Sequence, residues 1–151
     1  MDLNDKKIML VDDDAICNLI SKKTLERMGI DSEITVALNG AEAMDILNEI
    51  AQQPDSYPDI IFLDLNMPVK NGIECLKEIR NDSKLDKLPI IVYTTSDNPR
   101  DIDTCYDLKA NLYVVKPTSF ESIIKTLKKI INIDFKNQDF PARENFILES
   151  A

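Results

Sequence analysis

Four consecutive apolar residues, Ile60-Ile61-Phe62-Leu63, run straight into a lone carboxylate, Asp64. A continuous apolar run of that length reads as a strand buried on both faces, as in the middle of a parallel sheet. Asp64 then sits where the strand emerges, the edge at which open α/β sheets place their ligands and chemistry. Leu65-Asn66-Met67-Pro68 and Gly72 break the chain before Ile73 opens a helical pattern. Alone, such a carboxylate could equally end a strand or cap a turn. The other strands decide between the two.

They repeat the pattern. Ile8-Met9-Leu10-Val11 ends in Asp12-Asp13-Asp14, Ile90-Ile91-Val92-Tyr93 in Thr94-Thr95-Ser96, and Leu112-Tyr113-Val114-Val115 in Lys116-Pro117. Glu33-Ile34-Thr35-Val36-Ala37 alternates more, which suits an edge strand. Helical patterns lie between. The first carries Ile16, Leu19, Ile20 and Met28 on its expected core face, with Asp13 or Asp14 as N-cap and Gly29 at the C-terminal cap. The second uses Ala43, Ile46, Leu47 and Ile50; the third Ile73, Leu76 and Ile79; the short fourth Ile102, Cys105 and Leu108. The last is the cleanest, with Phe120, Ile123, Ile124, Leu127, Ile130 and Ile131. Five β-then-α units in strict alternation predict an α/β chain, a five-stranded parallel sheet covered by helices on both sides.

Composition narrows the function. At 151 residues, 44% hydrophobic and 30% charged, the chain suits one globular domain with a single core. No apolar run approaches the ~20 residues of a membrane span, and the first residues lack a secretory hydrophobic region. A cytoplasmic protein is expected, with no membrane partner. A net charge of −9 argues against a nucleic-acid surface. Cys17, Cys75 and Cys105 are odd in number and far apart, and are expected to be reduced core residues. Histidine is absent, which excludes imidazole acid/base work, His metal sites and a phosphohistidine on this chain.

Right-handed crossovers bring Asp12-Asp13, Asp64, Thr94 and Lys116 to one edge of the sheet. Three close carboxylates repel by about 4 kcal/mol per pair at an intermediate dielectric, so compensating cations are required. Lys116 supplies one charge and a bound divalent ion two more. Oxygen-only ligands point to a hard ion, Mg²⁺ first and Mn²⁺ or Ca²⁺ next. A carboxylate nucleophile, a metal, a hydroxyl donor and a lysine together read as a phosphoryl-transfer site. Each part alone has an ordinary explanation as a helix start, a strand-end hydroxyl or a turn. Their joint occurrence at four strand ends does not.

Over about residues 6–131 the sequence resembles the receiver domains of two-component response regulators. Val11-Asp12-Asp13-Asp14 is similar to that family's acidic pair, Asp64-Leu65-Asn66-Met67-Pro68 with Gly72 to its phosphoacceptor signature, and Thr94 and Lys116-Pro117 to its hydroxyl and lysine. The resemblance implies a doubly wound, flavodoxin-like receiver fold with strand order 2-1-3-4-5. It implies that Asp64 is the phosphoacceptor, that Asp12, Asp13 and Asp64 hold Mg²⁺, and that Asn66 offers the metal its backbone carbonyl. Thr94 would bond a phosphoryl oxygen, Lys116 would pair with it, and Tyr113 would be the switch aromatic that turns into space Thr94 leaves. A cis Lys116–Pro117 peptide is also implied. Lys109-Ala110 stands where the family often has Gly-Ala, so the fourth helix is expected to end differently, at a cost of about 1 kcal/mol if Lys109 turns left-handed.

The expected function is that of a stand-alone phosphoacceptor in a phosphorelay, taking its phosphoryl group from a histidine kinase or phosphotransfer protein and acting through an unknown downstream protein. It would catalyse its own phosphorylation and dephosphorylation, without being an enzyme on an outside substrate. A Mg²⁺-dependent phosphohydrolase with an aspartyl nucleophile is the alternative, disfavoured because Asn66 stands where such enzymes usually carry a second acid. Asp97, Asp101, Asp103 and Asp107 on the fourth helix and Lys125, Lys128 and Lys129 on the fifth suggest a weak, salt-sensitive homodimer through helix 4, strand 5 and helix 5, against the alternative of ordinary solvated faces. Residues 132–151, beyond a domain spanning 1–131, hold Phe135, Phe140 and Phe146 among charges and a proline. They are expected to be a conditionally ordered extension that docks on that same face.

Overall fold

The computed structural model describes residues 6–30 and 33–148. Residues 1–5 of the expected domain and 149–151 of the expected extension lie outside them. The strands are β1 (Lys7–Val11), β2 (Glu33–Ala37), β3 (Ile60–Leu63), β4 (Ile90–Thr94), β5 (Leu112–Val115) and a short β6 (Ile147–Leu148). The helices are α1 (Ala15–Arg27), α2 (Gly40–Ile50), α3 (Gly72–Arg80), α4 (Pro99–Asp107) and α5 (Phe120–Ile131). All neighbouring strands pair in parallel, in the order β2-β1-β3-β4-β5-β6. The fold is a doubly wound, flavodoxin-like α/β sheet, with one strand more than the sequence suggested.

Strand alternation divides the core into two layers. Met9, Val11, Ile61, Leu63, Ile90, Val92 and Tyr113 pack under α2, α3 and α4 with Leu47, Leu76, Ile79 and Cys105. Ile8, Leu10, Ile60, Phe62, Ile91, Tyr93 and Val114 pack against Leu25 of α1 and Leu127, Ile130 and Ile131 of α5. A side chain of this size contributes about 1.5–3 kcal/mol when fully buried, so both faces of β1, β3 and β4 had to be apolar. Cys75 and Cys105 are buried free thiols and Cys17 is half-buried.

Three features depart from the sequence expectation. In α1, Ile16 and Leu19 are 69% and 52% exposed, while Asn18, Ser21 and Leu25 face inward. The first turns of this helix lie against the acidic end of β1, where a hydrogen-bond donor is needed more than apolar surface. Leu19, with Ile20 and Met28 of the same stripe and exposed Phe120 and Ile124 of α5, lines a surface groove of about 410 Å³. Second, no peptide bond among the described residues is cis, so Lys116–Pro117 is trans. Trans is favoured by about 0.5–1 kcal/mol before proline, and the Lys116 ammonium reaches the acidic end of the sheet without the cis form. Third, β6 lies on the outer edge of β5.

The end of α4 is formed as its sequence warned. Lys109 has φ 64°, and the amides of Lys109 and Ala110 donate to the carbonyls of Tyr106 and Cys105. This is a Schellman closure with lysine where glycine is strain-free. Gly29, φ 96°, closes α1 in the same way. Lys109→Gly is therefore expected to stabilise the fold by about 1 kcal/mol in urea unfolding, with the midpoint shifted and the slope unchanged.

Candidate functional site

Register places the site. Val11 is opposite Leu63, Leu63 opposite Val92, and Thr94 opposite Val115. The next residues along β1, β3 and β5 are Asp12, Asp64 and Lys116, so strand length alone brings these groups and Thr94 to one edge. The Asp64 amide donates to Val11 and the Lys116 amide to Thr94, at 2.9 and 2.7 Å, which extends pairing right up to the functional side chains.

Lys116 bridges the two inner carboxylates. Its Nζ lies 2.6 Å from Asp12 Oδ2 and 3.6 Å from Asp64 Oδ2. Asp12 and Asp64 are 5% and 6% exposed and Thr94 is fully buried. Burial works against the Lys116 charge, but the hydrogen bond to Asp12 and the charges of Asp64 and Asp12 outweigh it and raise its pKa. The Asp64 carboxyl is pushed up, chiefly by burial, with Asp12 adding to the effect; hydrogen bonding from Thr94, the Lys116 charge and the Leu65 amide oppose it. Asp64 Oδ1 accepts from the Leu65 amide at 2.8 Å, which fixes the carboxylate plane.

Asp13 is exposed beside them, and one carboxylate oxygen from each of Asp12, Asp13 and Asp64 falls within 4.8 Å of the others. Three carboxylates and Lys116 leave a net charge near −2, and the donor set is all oxygen. Such a cluster suits a divalent hard ion. Asn66 is exposed on the loop that follows β3.

Local structure holds these groups in place. Asp14 caps α1, accepting from the amides of Ile16 and Cys17, and its own amide donates to Asp12 Oδ1. Asn71 and Glu74 form a capping box that starts α3 directly after the loop. An ideal Cβ on Gly72 would lie 2.1 Å from the Asp64 carbonyl oxygen, so only glycine lets α3 pass this close behind the carboxylate strand. Two contributors escaped the sequence reading. Asn18 Nδ2 donates to the Asp12 carbonyl at 2.8 Å, holding the acidic pair from α1. Cys17 lines the recess beside Asp12 and Asp64, and burial above all pushes its thiol up to about 11, so it stays neutral there. A polar residue one turn into a helix after an acidic run is the only signal that could have pointed to Asn18.

Tyr113 is also buried, on the α4 side of the sheet, and its hydroxyl donates to the Ser96 carbonyl at 2.8 Å. The Ser96 amide donates to Thr94 Oγ1 at 3.4 Å, and Ser96 Oγ to Asp101 at 2.6 Å. Thr94 and Tyr113 thus share the segment that joins β4 to α4.

The family model of the response regulator receiver domain matches residues 8–128. The chain is a response regulator receiver. Response regulator Rcp1 of Synechocystis is 32% identical over 138 residues, covering 91% of this chain and 94% of that protein. The chemotaxis protein CheY homolog of Campylobacter jejuni is 31% identical over 125 residues, 83% of this chain and 92% of that one. Among solved structures, the Mn²⁺-bound form of Rcp1 superposes with a TM-score of 0.76 at 32% identity, covering 91% of this chain and 99% of that one. The phosphorylated cyanobacterial phytochrome response regulator RcpA gives 0.78 at 33% identity over the same shares. Receiver domains are signalling modules of two-component systems, and the acidic cluster here is the kind that binds a divalent metal. Among the described residues, no helix is long and apolar enough to cross a membrane.

Proposed function

We propose that the chain accepts a phosphoryl group on Asp64, in a Mg²⁺-dependent reaction, from a histidine kinase or phosphotransfer protein, and signals through protein contacts. The observation that carries this reading is the placement of Asp64: a buried carboxylate 3.6 Å from the Lys116 ammonium, within a cluster of three carboxylates. In the transfer, an Asp64 oxygen forms the new P–O bond while the donor's P–N bond breaks and its nitrogen leaves. Asp12, Asp13 and Asp64, with the Asn66 carbonyl, are the residues that would hold Mg²⁺, which would supply charge neutralisation for the transferring group. Lys116 can shift its ammonium from the carboxylates toward a phosphoryl oxygen without leaving the site. The Thr94 hydroxyl is the donor for another oxygen. Tyr113, linked to Thr94 through Ser96, is the aromatic that reports the change to the α4 side. Hydrolysis of the acyl phosphate by water at the same site resets it.

The test is chemical. With Mg²⁺ and a small phosphodonor such as acetyl phosphate, the chain should gain one acid-stable, base-labile phosphoryl group, read as a mass increase of about 80 Da, since the group adds HPO₃. Asp64→Asn should show none. Labelling of the Asp64→Asn chain to the level of the unaltered one overturns the assignment.

The dimer suggested by the sequence stands differently in light of the fold. The β5 edge between α4 and α5 is covered by the chain's own β6, and Asp103 of α4 pairs with Arg143 at 2.9 Å. A two-fold contact through this face would have to include that segment or displace it.

A further inference from the structure

The residues that lead to β6 run across α4 and the outer edge of β5. The Pro141 carbonyl accepts from the Tyr106 hydroxyl at 3.3 Å, and the Arg143 guanidinium lies over the Tyr106 ring while pairing with Asp103. Phe146 is the anchor. It is fully buried, with its ring 5.1 Å from Tyr106 and 6.2 Å from Tyr113, and its carbonyl accepts from the Tyr113 amide at 3.0 Å. Ile147 and Leu148 then pair with Tyr113 and Val114.

One residue therefore belongs to two assemblies. Tyr113 reaches inward to Ser96, and through it to Thr94 beside Asp64; outward, its ring and backbone carry Phe146. With Phe146 seated, the path by which the Tyr113 ring could swing past the β5 edge is filled. A Thr94 hydroxyl drawn to a phosphoryl oxygen vacates space on the inner side of Tyr113 and favours the same inward ring. Two events that favour one position of a shared side chain stabilise each other. Docking rests on one fully buried aromatic, a two-residue strand and a few exposed or half-buried polar contacts, so its equilibrium lies within reach of such a bias.

We propose that residues 141–148 are a clamp on the phosphorylation switch: the α4–β5 groove is a binding site for this segment, and phosphorylation of Asp64 and seating of Phe146 over Tyr113 reinforce one another. The proposal rests on the reading of Asp64 as phosphoacceptor. It makes the C-terminal segment part of the signalling surface, presented in one state of the switch and loosened in the other.

Amide hydrogen exchange on the full chain, with Mg²⁺ and with or without beryllofluoride as a phosphoryl mimic, tests it. The Leu65 amide reports the Asp64 site and residues 146–148 report the clamp. The mimic should slow exchange at 146–148 about fivefold or more, within the usual span of coupling between two sites. Reciprocity requires Phe146→Ala to weaken the apparent affinity for the mimic by the same factor. Arg143→Ala, which removes an exposed ion pair and leaves the core intact, should weaken it in the same direction by less. In Tyr113→Ala the mimic should still protect Leu65 while 146–148 no longer respond. Protection of Leu65 with exchange at 146–148 unchanged overturns the clamp and leaves the phosphoacceptor reading standing. Absence of protection at Leu65 counts against that reading and removes the clamp with it.

Discussion

Gly72→Ala is expected to cost at least about 3 kcal/mol, the upper end of the usual overpacking penalty, and to abolish phosphorylation of Asp64. The new Cβ would stand 2.1 Å from the Asp64 carbonyl oxygen, 2.8 Å from Leu65 Cα and 2.9 Å from the Asp64 carbonyl carbon. All three are backbone atoms at the end of β3, so no side chain can rotate to relieve the clash. Either α3 moves away or the end of β3 moves, and Asp64 moves with it. For a domain of this size the loss corresponds to a fall of roughly 6–12 °C in Tm. A thermal unfolding curve within 2 °C of the unaltered chain, together with full labelling by a small phosphodonor, contradicts the account of the loop.

Lys116→Met is the second large effect. It removes the ammonium between Asp12 and Asp64, at 2.6 and 3.6 Å, and leaves two nearly buried carboxylates facing each other. Breaking a buried ion pair from one side costs about 3–5 kcal/mol, and the opening of this site to solvent places the expectation at the lower bound. The sign with pH follows from the shifts. The Lys116 pKa is raised in the fold, so its stabilisation is complete at neutral pH and is lost only as pH rises above the ordinary lysine range. The Asp64 pKa is raised, so its ionised form opposes folding above the ordinary carboxylate range, and removal of Lys116 increases that opposition. The destabilisation of the metal-free variant should therefore be largest at pH 7–8 and shrink toward pH 4–5. Added Mg²⁺ should restore part of the stability while phosphorylation stays impaired. Urea unfolding at several pH values measures it; a loss that is independent of pH would mean that Lys116 acts through packing alone.

These two positions differ in how they could be read. Lys116 is legible from sequence because a charged residue directly after Leu112–Val115 stands where an apolar strand meets water. The same local rule marks Asp12 and Asp64, Thr94 is the hydroxyl on which β4 ends, and strict alternation of strands and helices places the four ends together. Gly72 could be seen as a turn residue, but its distance from the Asp64 carbonyl depends on how α3 folds back over the loop.

Elsewhere the tertiary structure overruled local pattern. The apolar stripe of α1 pointed Ile16 and Leu19 to the core, yet the fold turns Asn18 and Ser21 inward. An unmet carbonyl at Asp12 attracts an amide more strongly than a surface-bound leucine is repelled by water. The expected sheet of five strands gained a sixth, because the open edge of β5 offers backbone partners to any extended segment that can also seat an aromatic ring, and Phe146 does so.

What the sequence by itself determined is the layered α/β sheet, the edge at which chemistry occurs and the residue types gathered there, because strand period, apolar run length and caps act over a few neighbouring residues. Only the tertiary structure decided which face α1 presents, that Lys116 bridges Asp12 and Asp64 from a trans peptide, and that Phe146 closes over Tyr113. Each of these is a contact between segments distant in the chain, where geometry and the saturation of buried polar groups, not local propensity, select the partner.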